Sequence, residues 1–520
     1  MNQSAPISQP GAVAAEPNPA GGLGRIFGRQ NAEQIKRKSV RGGAVTLVSQ
    51  GFKFVLTTAT TMVMARLLTP ADFGLQGMIV AWTGIVGLFG DIGLSMATIQ
   101  SDTVTHEQTS TLFWINVALG TLLALMVALL APLLAAFNHE PRLFWMTLVV
   151  ASTFLLGGLG VQHSALLVRE MRFLALAKVQ IASLVAGSLT GIAMAAYGCG
   201  YWALVGSMVA APLVNVAGLW LSVRWLPGRP RRGFGLRSAL HFGGILTLNN
   251  VVVYLGYNLE KVLLGRFWGA DALGLYGRAY SLVNLPTTQL HNAVNTVAFP
   301  VFSRLQSEPA RLRTSFLKVY ATVVSLCIPV TLGCVLFAPE MIHIALGAQW
   351  DGAVPIFRLL GPTVLAFGMI NPFGWFLIST GRVVRSFNIS LLIAPAVILG
   401  ILGGLHYGPK GVALAYSVVM TVLIVPVILW AIRGTGIRFM DILKSLGPAA
   451  LSGLCAAAAG LGFNLLLGQA WSPVLRLLCG LGLVLAVDAG MLLWVMGQKA
   501  FFVDLVREMF QRGKGQPPET

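Results

Sequence analysis

The chain has 520 residues, of which 56% are hydrophobic and only 10% are charged. A soluble domain cannot bury that much apolar surface in one core, so the composition places the chain in a membrane. The formal charge of +18 would favour a nucleic acid partner in a soluble protein, but in a membrane protein basic residues first report orientation, and no nucleic acid partner is expected.

The chain opens with residues that are rich in Ala, Pro and Gly. Residues 1–30 contain no continuous apolar core flanked by basic residues, so they are predicted to be a disordered tail and not a cleaved signal. The five cysteines further along show no metal-ligand spacing, and the sequence contains no phosphate-binding loop motif. We therefore expect neither a metal nor a cofactor.

Fourteen apolar runs follow, each long enough to cross about 30 Å of hydrocarbon as a helix. They predict an all-α, polytopic membrane protein with about 14 transmembrane helices. The runs cover residues 43–66, 73–99, 111–137, 143–167, 174–197, 200–223, 239–264, 273–301, 315–338, 352–378, 386–405, 411–432, 445–467 and 474–497.

Lys and Arg residues are unequally divided between the loops on the two sides of this predicted bundle. With the loops numbered alternately from the N-terminal tail, 26 lie on the side of the tail and five on the opposite side. The positive-inside rule then predicts a multi-pass protein whose two termini are both cytoplasmic.

An internal repeat organises the runs. Residues 65–77, ARLLTPADFGLQG, align without a gap with residues 265–277, GRFWGADALGLYG, and residues 197–207 align with 407–417. Each copy would contain six helices, and because six is even, the two copies have the same orientation in the membrane. The repeat predicts two parallel six-helix lobes related by an axis along the membrane normal, with helices 13 and 14 as an addition.

Four residues recur in the first pair of aligned segments. They are Arg66, Gly74, Leu75 and Gly77, which return as Arg266, Gly274, Leu275 and Gly277. We interpret the arginines as helix-end residues that offset the helix dipole. We interpret the glycines as residues that let the next helix start in a tight turn.

The predicted domain boundaries follow from the repeat. They are a disordered, basic cytoplasmic tail (1–41), an N-lobe with helices 1–6 (42–224), a basic cytoplasmic linker (225–238), a C-lobe with helices 7–12 (239–432), helices 13 and 14 (433–497) and a cytoplasmic C-terminal tail (498–520).

Polar residues recur at helical spacing on helices 1, 7 and 8, which belong to the opening pairs of the two copies. The stripes are Gln50, Lys53, Thr57 and Thr61 on helix 1, Asn250, Tyr254, Tyr257 and Lys261 on helix 7, and Arg278, Ser281, Asn284, Thr288, His291 and Asn295 on helix 8. An ionised side chain that faces lipid costs at least about 2.5 kcal/mol, so charges inside these helices tend to face a cavity or each other.

Three bases on these stripes form the candidate binding site. Lys53, Lys261 and Arg278 are predicted to line a central space between the lobes and to bind the anionic head group of a substrate, with phosphate or pyrophosphate as the obvious candidate. The polar residues assigned to the same site are Asn250, Asn284, Thr288 and His291. No residue is assigned a catalytic role.

Two alternatives stay open for the bases. Asp91 and Glu260 could neutralise two of the three, and Lys261 and Arg278 could snorkel to the outer surface. Asp91 and Glu260 could themselves couple transport to an ion, or they could hold helices together by hydrogen bonds.

Four segments give the chain a family resemblance. ARLLTPADFGLQG is followed by FGDIGLSMATIQ around Asp91, by ALLVREMRF after helix 4 and by YGCGYWALVGS between helices 5 and 6. In order and spacing they resemble the lipopolysaccharide, O-antigen and colanic-acid type flippases of the multidrug/oligosaccharidyl-lipid/polysaccharide (MOP) exporter superfamily. The resemblance covers roughly residues 40–435, and helices 13 and 14 resemble the extra pair of fourteen-helix members, including lipid II flippases.

The resemblance implies a function in the bacterial inner membrane. Two lobes would rock between inward-open and outward-open states and move an undecaprenyl-diphosphate-linked oligosaccharide to the periplasmic leaflet, for exopolysaccharide, capsule or O-antigen biosynthesis. It implies a cation-lined lumen, to which Lys53, Lys261 and Arg278 would contribute. It also implies a monomeric transport unit in contact with membrane lipid, with glycosyltransferases and a polymerase of the same pathway as partners.

Two other functions stay open. One is an ion-coupled small-molecule antiporter of the same superfamily, although the basic stripes would repel a cationic drug. The other is a membrane-embedded glycan polymerase or transferase, which generally needs a sizeable outer loop, whereas the longest outer loop here is the short stretch around 339–351. We therefore expect a transporter and not an enzyme.

Overall fold

The structure, a computed structural model, describes residues 32–90, 94–100, 104–230, 236–466 and 471–497. These residues are almost entirely helical and contain no β-strand, so the all-α prediction is confirmed. We number the long helices like the predicted runs. They are α1 (Ala32–Leu67), α2 (Pro70–Gly87, continued by Leu94–Gln100), α3 (His106–Asn138), α4 (Arg142–Arg169), α5 (Phe173–Ala196), α6 (Trp202–Val223), α7 (236–268), α8 (270–304), α9 (Pro309–Leu336), α10 (Ala353–Leu360, continued by Pro362–Ser379), α11 (Val383–Gly404), α12 (Gly408–Ala431), α13 (Phe439–Leu466) and α14 (Pro473–Gly490, continued by the π-helical turn Met491–Val495).

Ten of the long helices lie in stretches that are long and apolar enough to cross a membrane over their described residues. In the described part of the chain, nine stretches are long and apolar enough to cross a membrane, and together they contain α3–α6 and α9–α14, with α11 and α12 in one stretch. The helices outside this set are α1, α2, α7 and α8, the opening pairs of the two copies. The count of fourteen crossings and the predicted domain boundaries stay predictions, although α1 already begins at Ala32, inside the segment assigned to the tail.

The two copies start their second helices in different ways. Thr69 caps α2, because its side chain accepts a hydrogen bond from the backbone N–H of Asp72 while the Asp72 carboxylate accepts one from the backbone N–H of Thr69. Pro70 takes the first helical position, where its missing N–H is no loss. In the second copy Gly269 stands at the equivalent place with a φ of 79° and turns the chain between α7 and α8.

The recurring glycines lie inside α2 and α8, so the interpretation that they form the tight turn is wrong. They instead allow α2 and α8 to cross at backbone contact. A Cβ on Gly74 would lie 1.7 Å from the carbonyl oxygen of Ala270, and a Cβ on Gly274 would lie 1.8 Å from that of Pro70. The two contacts are equivalent in the repeat, and only glycine permits so close an approach. We call the end of the bundle with this contact the crossing end.

The recurring arginines end α1 and α7, as expected, and each one reaches into the other copy. Arg66, in the last turn of α1, donates a hydrogen bond to the carbonyl oxygen of Ile344 at 2.8 Å. The guanidinium carbon of Arg266 lies 5.5 Å from the ring centre of Phe137, near the end of α3. The arginines therefore help to join the copies at the crossing end.

Two further hydrogen bonds cross between the copies in the same region. The indole N–H of Trp350 donates to the carbonyl oxygen of Ala65 at 2.8 Å. The hydroxyl of Tyr254 on α7 donates to the carbonyl oxygen of Val80 on α2 at 3.0 Å. Together with the glycine contacts, these bonds close the space between the copies at the crossing end.

The additional helices α13 and α14 pack against the second copy. Arg476 at the start of α14 forms an ion pair at 3.0 Å with the buried carboxylate of Glu340, which lies in the short helix Ala338–Ala345 after α9. Within the pair, the hydroxyl of Ser452 donates to the carboxylate of Asp488 at 2.8 Å. The intramembrane carboxylate Asp488 therefore joins α13 to α14.

The crossing predicts a strong effect of a very small substitution. Gly74→Ala places a methyl group where the Ala270 carbonyl oxygen lies, so α2 and α8 must separate, at a cost of about 1–3 kcal/mol, as for other over-packing substitutions. Separation can be measured as loss of disulfide formation between Met78→Cys and Gly265→Cys, since a Cβ on Gly265 would be 3.0 Å from Met78 Cγ.

Gly87→Ala is the matched control, because it lies on the same helix and no atom lies within 4 Å of its added Cβ. Unchanged cross-linking is expected for this variant. Equal cross-linking in Gly74→Ala and Gly87→Ala would contradict the role of the glycine contact.

Candidate functional site

The candidate site is built on the four helices α1, α2, α7 and α8. The side chains of Lys53, Lys261, Arg278 and Glu260 are among the described residues, as are those of Asn284, which is half-buried, and Thr288, which is exposed. Asp91 and the side chains of Asn250 and His291 lie outside the described residues. No group of three or more His, Cys, Asp or Glu side chains that could hold a metal ion occurs within the described part of the chain.

Lys53 lies on α1 and contacts the fifth helix of its own copy. Its ammonium donates a hydrogen bond to the side-chain oxygen of Gln180 on α5 at 2.9 Å. The side chain is half-buried, and no acidic group among the described residues pairs with it. An ammonium has three N–H donors, so two remain for another acceptor.

Arg278 lies on α8, one turn after the glycine crossing, and reaches α2. Its guanidinium carbon lies 4.1 Å from the ring centre of Phe73, and one N–H donates to the side-chain oxygen of Gln76 at 3.3 Å. The aromatic face stabilises the cation electrostatically without neutralising it. Arg278 therefore carries an intact charge at the boundary between the two copies.

Lys261 lies on the face of α7 that packs against α2. Residues on either side of it on this face contact α2: Tyr254 bonds to the carbonyl of Val80, and Gly265 packs against Met78. The ammonium of Lys261 donates to the side-chain oxygen of Asn258 at 2.7 Å, one turn back along α7. This direction leads away from the crossing end, which the basic loops predict to be the outer end, so the side chain does not turn toward that surface.

Glu260 is a buried acid next to Lys261 on α7. The residue is 3% exposed, and one carboxyl oxygen has no hydrogen-bond partner among the described residues. It is close enough to act electrostatically on Lys261 and on the hydroxyls of Tyr254 and Tyr276. Its role in ion coupling or helix pairing stays a prediction.

The three bases do not contact one another. Lys53 bonds to α5, Lys261 bonds within α7, and Arg278 bonds to α2. Among the described residues, no ion pair within 4 Å joins any of them to an acid, although Glu260 acts electrostatically on Lys261. The structure thus gives bases held by neutral groups, and sequence reasoning missed all three partners, Asn258, Gln76 and Gln180, because none of them lies on a predicted polar stripe.

The bond between Lys53 and Gln180 can be tested by a double-mutant cycle. Gln180→Leu leaves a desolvated ammonium without its acceptor and should lower the free energy of unfolding by about 1–3 kcal/mol. Adding Lys53→Met removes the unpaired charge and should restore most of that loss. Thermal unfolding in detergent measures both effects, and a double variant no more stable than Gln180→Leu would contradict the contact.

Comparison with known proteins gives a consistent family. Residues 63–355 match the model of a family described as polysaccharide biosynthesis protein. The lipopolysaccharide biosynthesis protein WzxC of Escherichia coli K12 is 26% identical over 398 residues, which is 75% of this chain and 80% of WzxC. The teichuronic acid biosynthesis protein TuaB of Bacillus subtilis 168 is 27% identical over 361 residues, or 67% of this chain and 72% of TuaB.

Solved structures show the same fold at low sequence identity. The lipid II flippase MurJ in an inward closed conformation superposes with a TM-score of 0.69 at 14% identity, covering 88% of this chain and 99% of MurJ. An inward-facing multidrug resistance MATE transporter of the MOP superfamily superposes with a TM-score of 0.58 at 15% identity, covering 74% of this chain and 94% of the transporter. Since the family model matches more than half of its length, the chain belongs to the polysaccharide biosynthesis protein family, and its fold is that of MurJ and of the MATE transporter.

Proposed function

We propose that the protein is a flippase that moves an undecaprenyl-diphosphate-linked oligosaccharide across the cytoplasmic membrane by alternating access, for surface polysaccharide biosynthesis. One observation carries the proposal: half-buried bases on α1, α7 and α8 donate hydrogen bonds to neutral side chains and form no ion pair within 4 Å with an acid among the described residues. Bases arranged in this way keep their charge available for an anionic head group, and a diphosphate offers two such anionic groups.

The contacts at the crossing end support alternating access. The glycine contacts of α2 and α8, with the hydrogen bonds of Arg66, Tyr254 and Trp350, close the copies against each other there. A transporter closed at one end has to receive its cargo from the other. With the termini in the cytoplasm, as the basic loops predict, the closed end is periplasmic and the cargo enters from the cytoplasmic leaflet.

The relatives support a cargo of the envelope polysaccharide class. WzxC and TuaB are named for lipopolysaccharide and teichuronic acid biosynthesis, and a third relative, ExoT of Rhizobium meliloti, is named a succinoglycan biosynthesis transport protein. We infer that glycosyltransferases and a polymerase of one such pathway supply and consume the cargo. The proposal gives this chain transport and no chemical step, with a single chain as the transport unit.

Charge reversal tests the anionic site. Lys53→Glu, Lys261→Glu and Arg278→Glu should each reduce surface polysaccharide about ten- to hundredfold, which corresponds to the loss of one charge-assisted hydrogen bond of about 1.5–3 kcal/mol. The amount of polysaccharide is measured at equal levels of inserted protein. Lys178→Glu is the matched control, because Lys178 is an exposed base on α5 that is not assigned to the site. Normal export in all three variants would refute the anionic site.

Cysteine labelling tests the orientation. In a background with the other four cysteines replaced, the exposed native Cys199 between α5 and α6 should react with a membrane-impermeant maleimide added to intact spheroplasts. Ser307→Cys, exposed between α8 and α9, should react only after the membrane is opened, because the proposal places it on the cytoplasmic side. The reverse pattern would invert the assignment of the crossing end.

A further inference from the structure

Each copy of the repeat contains a cavity in the half of the bundle that lies away from the crossing end. The first is bounded by the end of α2 and by α4, α5 and α6, with a volume of about 330 Å³. The second is bounded by the end of α8 and by α10, α11 and α12, with a volume of about 400 Å³. Both volumes are within the range of small-ligand sites.

The two cavities are equivalent in the repeat. Nine lining positions of the first cavity have their equivalents in the lining of the second. They are 95 and 99, at an offset of 200, and 160, 161, 164, 165, 168, 176 and 180, at an offset of 210. Seven of the nine pairs lie on α4, α5, α10 and α11, which the glycine contacts do not touch. The two copies therefore share a cavity as well as their arrangement of helices.

Both cavities carry uncharged hydrogen-bonding groups. Asn215 and Gln180 line the first, and Asn295 and Asn371 line the second. An amide side chain can both donate and accept hydrogen bonds with a polar ligand. Both linings also contain hydroxyl groups, and the second contains the indole of Trp375.

The lining selects between classes of ligand. None of the described residues that line either cavity is charged, which does not suit a phosphate or a metal ion. A hydrocarbon chain would offer no hydrogen bond to the amides and hydroxyls of the linings. A sugar ring offers hydroxyl donors and acceptors at its edge and apolar C–H groups on its faces, and this combination matches amides, hydroxyls, aliphatic side chains and one aromatic ring.

We propose that the two cavities are a pair of equivalent binding sites for uncharged sugar residues of the cargo. The inference rests on the proposed flippase function and adds the part of the cargo that each lobe holds. The first cavity is connected to a base, because Gln180 lines it and accepts the hydrogen bond of Lys53 at 2.9 Å. A sugar close to the diphosphate therefore occupies the first cavity, and a sugar further along the glycan occupies the second.

Filling the cavities tests the proposal. Ser164→Leu and Gly374→Leu change equivalent positions, one in each cavity, and no atom lies within 4 Å of a Cβ added at Gly374. Each variant should slow the flipping of a fluorescent lipid-linked oligosaccharide in proteoliposomes at least about tenfold, the loss of about 1.4 kcal/mol of binding. Gly403→Leu is the control, since it makes the same change at an exposed position of α11 outside the cavity, again with no atom within 4 Å.

The outcomes separate the two proposals. Flipping at the wild-type rate in both filled variants would overturn the sugar sites and leave the flippase function standing. A wild-type protein that does not flip the lipid would refute the flippase function. The binding experiment described next would then decide by itself whether the cavities bind sugar.

Binding is measured on the protein without flipping. In a background without the native cysteines, Ser164→Cys and Ser390→Cys place one thiol in the lining of each cavity. A phosphate-free oligosaccharide, released from the host strain's own surface polysaccharide, should slow maleimide labelling about fivefold at four times its Kd. Labelling of Gly403→Cys should not change. Lack of protection at both thiols would overturn the proposal, and protection by inorganic pyrophosphate in place of the oligosaccharide would overturn its sugar chemistry.

Discussion

The rest of the structure depends on one backbone contact, the approach of α2 and α8 at Gly74 and Gly274. Each glycine faces a carbonyl oxygen of the other copy at a distance that no side chain could occupy. Small residues at a helix crossing are the usual means by which membrane helices come close, since lipid provides no hydrophobic drive for their association. Here the contact also fixes where the lobes meet, and the hydrogen bonds that join the copies through Arg66, Tyr254 and Trp350 gather around it.

The bases near this contact are stabilised without being neutralised. Lys53 uses an amide, Lys261 uses an amide and Arg278 uses an amide and an aromatic face. A carboxylate partner would lower the energy of each base further, but it would also cancel the field that attracts an anion. The buried carboxylate of Glu260 acts electrostatically on Lys261 but forms no ion pair within 4 Å with it. The arrangement suits a site that must bind an anion and then release it.

The helices could be predicted from the sequence because hydropathy is a local property. The described parts of all fourteen runs coincide with helices, and the polar stripes of α1, α7 and α8 were read from the sequence. The structural role of the recurring glycines could not be predicted, since a small residue that recurs in a repeat fits a turn and a helix crossing equally well. The partners of the bases were hidden for a different reason: Gln180 is 127 residues from Lys53, and Gln76 is 202 residues from Arg278.

The repeat also explains how an asymmetric site can arise on a symmetric frame. Positions 78 and 278 are equivalent, yet Met78 packs against Gly265 while Arg278 stands over the ring of Phe73. The crossing constrains only the glycines and the carbonyls that they face, so the next turn of each helix is free to differ. One copy keeps an apolar side chain that seals the lobes together, and the other carries a cation in the same place. The helical turn that follows each crossing glycine thus packs the copies together at Met78 and places a cation between them at Arg278.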